Sequence, residues 1–167
     1  MIKPLPVKKN KFGQRVADIS ITDYYGQIME EVLEAHTEFV SNSIYDKLNG
    51  EKIIGDDDNE AEELVDIITC CVTRLHIIGG KYYDTTRIDK MEENFYRQLA
   101  NQVLVAFNDA LYTEIHNYKP HYEQFELSAV IKMCVTRLES LGYDESARQN
   151  LYAAVNDKNQ KRGYFEE

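Results

Sequence analysis

In the segment QIMEEVLEAHTEF, Glu31 and Glu34 stand three residues apart, and in NEAEELVDIIT, Glu63 and Asp66 repeat that spacing. On a helix, residues three apart leave the same face, so each pair presents two carboxylates side by side. An apolar stripe runs beside each pair: Ile28, Val32, Ala35 and Phe39 with the first, and Leu64, Ile67, Ile68, Cys71, Leu75 and Ile78 with the second. If those stripes pack the two helices together, the acidic faces meet at the edge of the contact and four carboxylates converge. Left alone they repel, and some take up protons. A hard divalent cation removes that penalty; Mg²⁺ is the usual partner of oxygen ligands shared with a phosphate, with Mn²⁺ an alternative. Acids at this spacing also decorate solvated helix faces, so the spacing alone leaves both readings open.

The elements that must position these acids are helices. The first is expected from Ser20 or Thr22, either of which can cap the free amides of the first turn, to about Leu48, ahead of Asn49-Gly50. GEKIIGDDDNEAEE reads as a polar loop, with Asp56 to Asn59 supplying a cap and negative charge to a second helix from about Glu60 to Ile78. Asp56 to Asp58 resemble a calcium loop only faintly, lacking its spaced ligands and closing glutamate. Gly79-Gly80 ends the second helix. A third helical region from Thr85 or Thr86 meets no Gly or Pro before Pro120. Its stripe is Ile88, Met91, Phe95, Leu99, Val103, Phe107, Leu111 and Ile115. One continuous helix there would be roughly 45 Å long, which predicts a break near Asn108-Asp109 or a partner subunit. A fourth helix is expected over about Tyr122 to Leu141, ended by Gly142, and a fifth from Asp144 or Ser146 to about Lys158. No alternating strand pattern competes, so the fold class is all-α, a helical bundle preceded by an extended arm over residues 1–19.

The string CVTRL occurs at Cys71–Leu75 and again at Cys134–Leu138, each followed by a short gap, Gly, Tyr and Asp. This suggests a duplicated helix. The second copy carries Glu126 and Ala129 where the first has Glu63 and Asp66, so it lacks one carboxylate of the pair.

The 167 residues suit a single domain with its own core. A net charge of −10 argues against a broad nucleic-acid surface, although a divalent cation can still mediate contact with a nucleotide. The apolar runs are far short of the ~18 to 20 residues a membrane helix needs. MIKPLPVKKNKFGQR has a basic start but no apolar stretch after it, unlike a secretory signal, so the expected location is cytoplasmic. Cys70, Cys71 and Cys134 form no CxxC pair and read as reduced, half-buried thiols.

ExxE on one helix followed by ExxD on the next resembles the signature of the all-α NTP pyrophosphohydrolases, the MazG-like superfamily, which includes dimeric dUTPases and phosphoribosyl-ATP pyrophosphohydrolase. QIMEEVLEAHTEF resembles the family's first helix and EAEELVDIIT its second. The resemblance implies a bundle of that type and marks Glu31, Glu34, Glu63 and Asp66 as Mg²⁺ ligands. Glu30 and Glu38 would bind a second metal or orient water, and Glu34 or Glu38 would take the proton of the attacking water. LGYDESARQNLYAAVNDKNQKRGYF is similar to the closing segment of short, phage-type members, which marks Asn156, Lys158, Asn159 and Arg162 for phosphate or sugar contacts. A competing version lies in KMEENFYR, where Lys90, Asn94 and Arg97 have the spacing seen in other members. The likeness covers about residues 20–78 and 134–165, leaving 79–133 as a helical insertion, partly duplicated.

The implied reaction converts a (d)NTP and water into a (d)NMP and pyrophosphate, with dUTP or phosphoribosyl-ATP as related substrates. It also implies a homo-oligomer, dimer or tetramer, and the long third helical region gives a separate reason. The alternative is a catalytically idle helical interaction protein with the same fold; retention of all four acids favours the enzyme. His36 reads as a surface partner of nearby acids, and Tyr24 and Tyr25 as packing residues that could instead stack on a base.

Overall fold

The computed structural model describes residues 4–49, 56–84, 94–119 and 121–167. Five α-helices follow in order: α1 (Ile21–Asn49), α2 (Asp56–Ile77), α3 (Phe95–His116), α4 (His121–Ser140) and α5 (Glu145–Lys161). A short 3-10 turn, Val16–Asp18, precedes α1. Helices α1 to α4 form an all-α bundle in which α1 packs on α2 and α3, and α4 packs on α3 and α2. α5 lies against α2. Among the described residues, no helix is long and apolar enough to cross a membrane.

The helix ends follow their local chemistry. The Ser20 hydroxyl accepts from Asp23 N at 3.1 Å, and Asp144 Oδ1 accepts from Ala147 N at 2.8 Å, so both expected caps are in place. α2 begins at Asp56, four residues before the expected Glu60; the side chains of Asp56 to Asp58 lie outside the described residues, as do residues 50–55 before them. Gly79 and Gly142 follow α2 and α4 with positive φ of 65° and 96°.

α3 runs through Asn108-Asp109 without the break expected there, and the start expected at Thr85 or Thr86 lies outside the described residues. Its buried face also differs from the predicted stripe. Leu99 and Val103 are buried, but further along Ala106 and Ala110 take the inner positions while Ile115 is 74 % exposed. The predicted stripe from Phe95 to Ile115 advances four residues at every step. Each such step overshoots one turn by about 40°, so its far end rotates out of the core.

The bundle is internally paired. Aligning Glu60–Leu75 with Glu123–Leu138 matches nine positions, including Glu63 with Glu126 and all of CVTRL. The structure uses the repeat reciprocally. Arg74 of the first copy holds Glu123 of the second through two bonds of 2.7 and 2.9 Å, and Arg137 of the second holds Glu60 of the first at 2.9 to 3.2 Å. Tyr25 of α1 donates to Glu123, and Tyr96 of α3 donates to Glu60, at 2.9 and 2.6 Å. Both glutamates are only 1 % exposed, so each buried charge has its cation and a hydroxyl donor in place. Segment 79–133 therefore supplies α3 and the first part of α4, half of this paired core.

Candidate metal centre

α1 and α2 meet along their apolar stripes; Ile28, Val32, Ala35, Leu64, Ile67, Ile68 and Cys71 are all buried. That packing brings the acids at the stripe edges together. Glu31, Glu63 and Asp66 each offer a carboxylate oxygen, and these oxygens lie within 4.8 Å of one another. Glu34, one turn along α1 from Glu31, borders the same cavity with a half-exposed side chain.

Burial and mutual repulsion outweigh the nearby cations in the electrostatics of the cluster. Burial, then the neighbouring charges of Asp66 and Glu34, push the Glu31 carboxyl up to about 8, against an ordinary 4.5. Burial with Asp66 and Glu34 pushes Glu63 up to about 7. Burial lifts Asp66 to about 6 even though Lys158 and Arg162 pull it down. Three carboxyl groups, close together and raised chiefly by burial, fit a hard divalent cation. Cys70 also borders the cavity, but burial and the charges of Glu31 and Cys71 hold its thiol well above the ordinary value, so it is a neutral wall group.

The cavity has a volume of about 250 Å³. The same cavity is lined by Lys158 and Asn159 from the end of α5 and Arg162 just beyond it, with the Lys158 ammonium 3.5 Å from Glu62 of α2. Asn159 is 6 % exposed and borders the cavity. A side-chain amide on a cavity wall is a ready contact for a polar ligand. Gly163, with φ of 74°, adopts the left-handed conformation that turns the chain back after α5. The Tyr164 carbonyl then accepts from the backbone amides of Lys8 and Lys9 at 2.7 and 3.0 Å.

No family model, curated protein or solved structure matches this chain. The reading of the site therefore rests on its own geometry.

Several residues named from sequence sit elsewhere. Asn156 does not border the cavity; its Oδ1 accepts from Leu5 N at 2.9 Å and ties down the N-terminal arm. Glu38 is half-buried outside the cavity wall, and Glu30 faces Lys11. Lys90 lies outside the described residues, while Asn94 and Arg97 line a separate cavity between α1 and α3 that none of the four acids borders. His36 is exposed, its ring 5.2 Å from that of Tyr96. Tyr25 is spent on Glu123, and Tyr24 is buried in the cavity wall with its hydroxyl donating to the Cys70 carbonyl at 2.8 Å.

The arm supplies what sequence reasoning missed. Val7, Lys9, Asn10, Lys11 and Val16 all border the cavity. Asn10 is buried: its Oδ1 accepts from the amides of Phe12 and Gln14, and its Nδ2 donates to Gln14 and to Gln27 of α1. This fixes the loop carrying Lys11, whose ammonium lies 3.5, 3.6 and 3.5 Å from Glu30, Glu31 and Glu34. Burial alone would lower the Lys11 pKa, but the three glutamates outweigh it and raise it. The one signal in the sequence was a basic cluster, KKNK, in a chain of net charge −10.

The second copy of the acid face is a useful contrast. Where α2 has Asp66, α4 has Ala129, and Gln102 of α3 hydrogen-bonds to Glu126. An amide there satisfies the remaining carboxylate without a cation.

Proposed function

We propose that this chain is a Mg²⁺-dependent nucleoside triphosphate pyrophosphohydrolase of the MazG-like kind that its acid motifs resemble. One observation carries the reading: Glu31, Glu63 and Asp66 converge within 4.8 Å in a cavity that Lys158, Asn159 and Arg162 also line. Acids alone would fit many cations. Acids and bases lining one cavity fit a cation together with a polyanion.

When bound, Mg²⁺ would neutralise triphosphate charge and make the attacked phosphorus more electrophilic. Glu31, Glu63 and Asp66 would hold it, with Glu34 completing the set or acting as base. Glu34 is the better base than Glu38, because it borders the cavity and its side chain is half exposed, within reach of entering water. Water attacks the α-phosphorus, its proton passes to the carboxylate, and the bond to the β-phosphate oxygen breaks. Lys158 and Arg162 neutralise the charge that develops on the departing pyrophosphate, and Asn159 donates to a phosphate or sugar oxygen.

Leu33, Ile44, Leu104 and Ile115 are 49 to 74 % exposed on α1 and α3 and support self-association as a companion proposal, with a cytoplasmic setting for a nucleotide substrate. The test of function is incubation with each dNTP and Mg²⁺, followed by pyrophosphate detection. Release that drops on the order of 100-fold or more in Glu63→Gln supports the enzyme. A folded protein that releases pyrophosphate from no nucleotide supports the idle interaction protein.

A further inference from the structure

We propose that Lys11 is a phosphate-binding residue that occupies the acid cluster in the metal-free protein and transfers to the triphosphate when a divalent cation enters. The inference rests on the pyrophosphohydrolase reading of the same cavity and adds a residue from a segment to which that reading gives no role.

The Lys11 ammonium is shared among Glu30, Glu31 and Glu34 at 3.5 to 3.6 Å. Its hydrogen bond, donated to Glu34 Oε1 at 3.5 Å, is long beside the ~2.7 to 2.9 Å of a tight charge-assisted bond, so Lys11 is not locked to one carboxylate. Its side chain is 38 % exposed and ends in a compact charge on a flexible stem. The backbone beneath it is fixed by Asn10 and by the Lys8 and Lys9 amides on Tyr164. Binding therefore requires the side chain to move and the arm to stay.

Two of the carboxylates around Lys11 are the ones a metal would take. A monovalent ammonium and a divalent ion compete for Glu31 and Glu34, so Lys11 weakens metal binding in the absence of substrate. Lys11, Lys158 and Arg162 border the same cavity, so a polyphosphate there would draw the displaced ammonium to itself. The cost of evicting Lys11 is offset only when the triphosphate is present. Metal and triphosphate then favour each other's binding, and the coupling is reciprocal.

The experiment compares the full chain with Lys11→Met and Lys11→Arg, following Mn²⁺ binding alone by electron paramagnetic resonance and inorganic tripolyphosphate binding at saturating Mg²⁺ by calorimetry. Lys11→Met is expected to bind Mn²⁺ alone about 5-fold more tightly and Mg²⁺–tripolyphosphate about 10-fold more weakly, within the usual range of coupling between sites. Lys11→Arg keeps the charge and is expected to stay within about 3-fold of the parent on both. A purely structural ion pair would leave Mn²⁺ affinity unchanged or lower it in Lys11→Met, and that result overturns the proposal, as does unchanged tripolyphosphate affinity. Equal binding of both ligands by parent and variant removes the role of Lys11 alone. Failure of both the parent and Lys11→Met to bind Mn²⁺, with or without tripolyphosphate, removes the pyrophosphohydrolase reading as well.

Discussion

Replacing Glu31 by glutamine separates the cost of the acid cluster from the packing that creates it. In the metal-free protein the Glu31 carboxyl is raised from 4.5 to about 8 by burial and by the charges of Asp66 and Glu34. A carboxyl raised on folding means that the native state binds the proton more tightly than the unfolded chain. Its contribution is fully present below about pH 4.5 and is lost as pH rises through about 8. The full interval corresponds to roughly 5 kcal/mol at about 1.4 kcal/mol per pH unit. Water entering the open cavity and movement of the half-exposed Glu34 screen much of this, leaving about 2 kcal/mol. Loss of the partly exposed Lys11 contact subtracts less than about 1 kcal/mol. Urea unfolding in EDTA, followed by circular dichroism, is the assay. Glu31→Gln is expected to exceed the parent by about 1 to 2 kcal/mol near pH 8.5 and to match it near pH 5. Mg²⁺ should stabilise the parent more than the variant at the higher pH. Equal stabilities at both pH values, or a variant weaker at the higher pH, would refute the reasoning.

Glu123→Gln should destabilise the bundle by about 3 to 5 kcal/mol, because it leaves Arg74 charged and nearly buried; thermal unfolding measures it, and a loss below about 1 kcal/mol contradicts the buried pair. Asp144→Ala removes the α5 cap and should cost about 1 kcal/mol in the same assay. Because α5 carries Lys158 and Asn159 and leads into Arg162, that variant should also weaken tripolyphosphate binding, whereas unchanged binding would detach α5 from the site.

The acids and their setting were legible because helix periodicity fixes which side chains share a face. Once Ile28, Val32, Leu64 and Ile68 were seen as buried stripes, the positions of Glu31, Glu34, Glu63 and Asp66 at their edges followed. α3 was less legible, since a run of four-residue steps cannot stay on one face of a helix and small residues such as Ala106 and Ala110 took over the core. Glu60 and Glu123 were not singled out because buried charges look like surface charges until their partners are known. Their equal separation from Arg74 and Arg137 in the repeated helix was the available sign. The arm left no periodic trace, so nothing in Lys9, Asn10 and Lys11 but their charge pointed to the cavity. Asn156 illustrates the reverse error, a polar residue near the phosphate candidates whose hydrogen bond goes to Leu5.

The most direct measurement is anomalous diffraction from a crystal of the chain soaked in Mn²⁺. The account predicts a peak within coordination distance, about 2.0 to 2.4 Å, of oxygens from Glu31, Glu63 and Asp66, with Lys11 turned away from the cluster. A well-ordered crystal that shows those three carboxylates with no peak among them would contradict it.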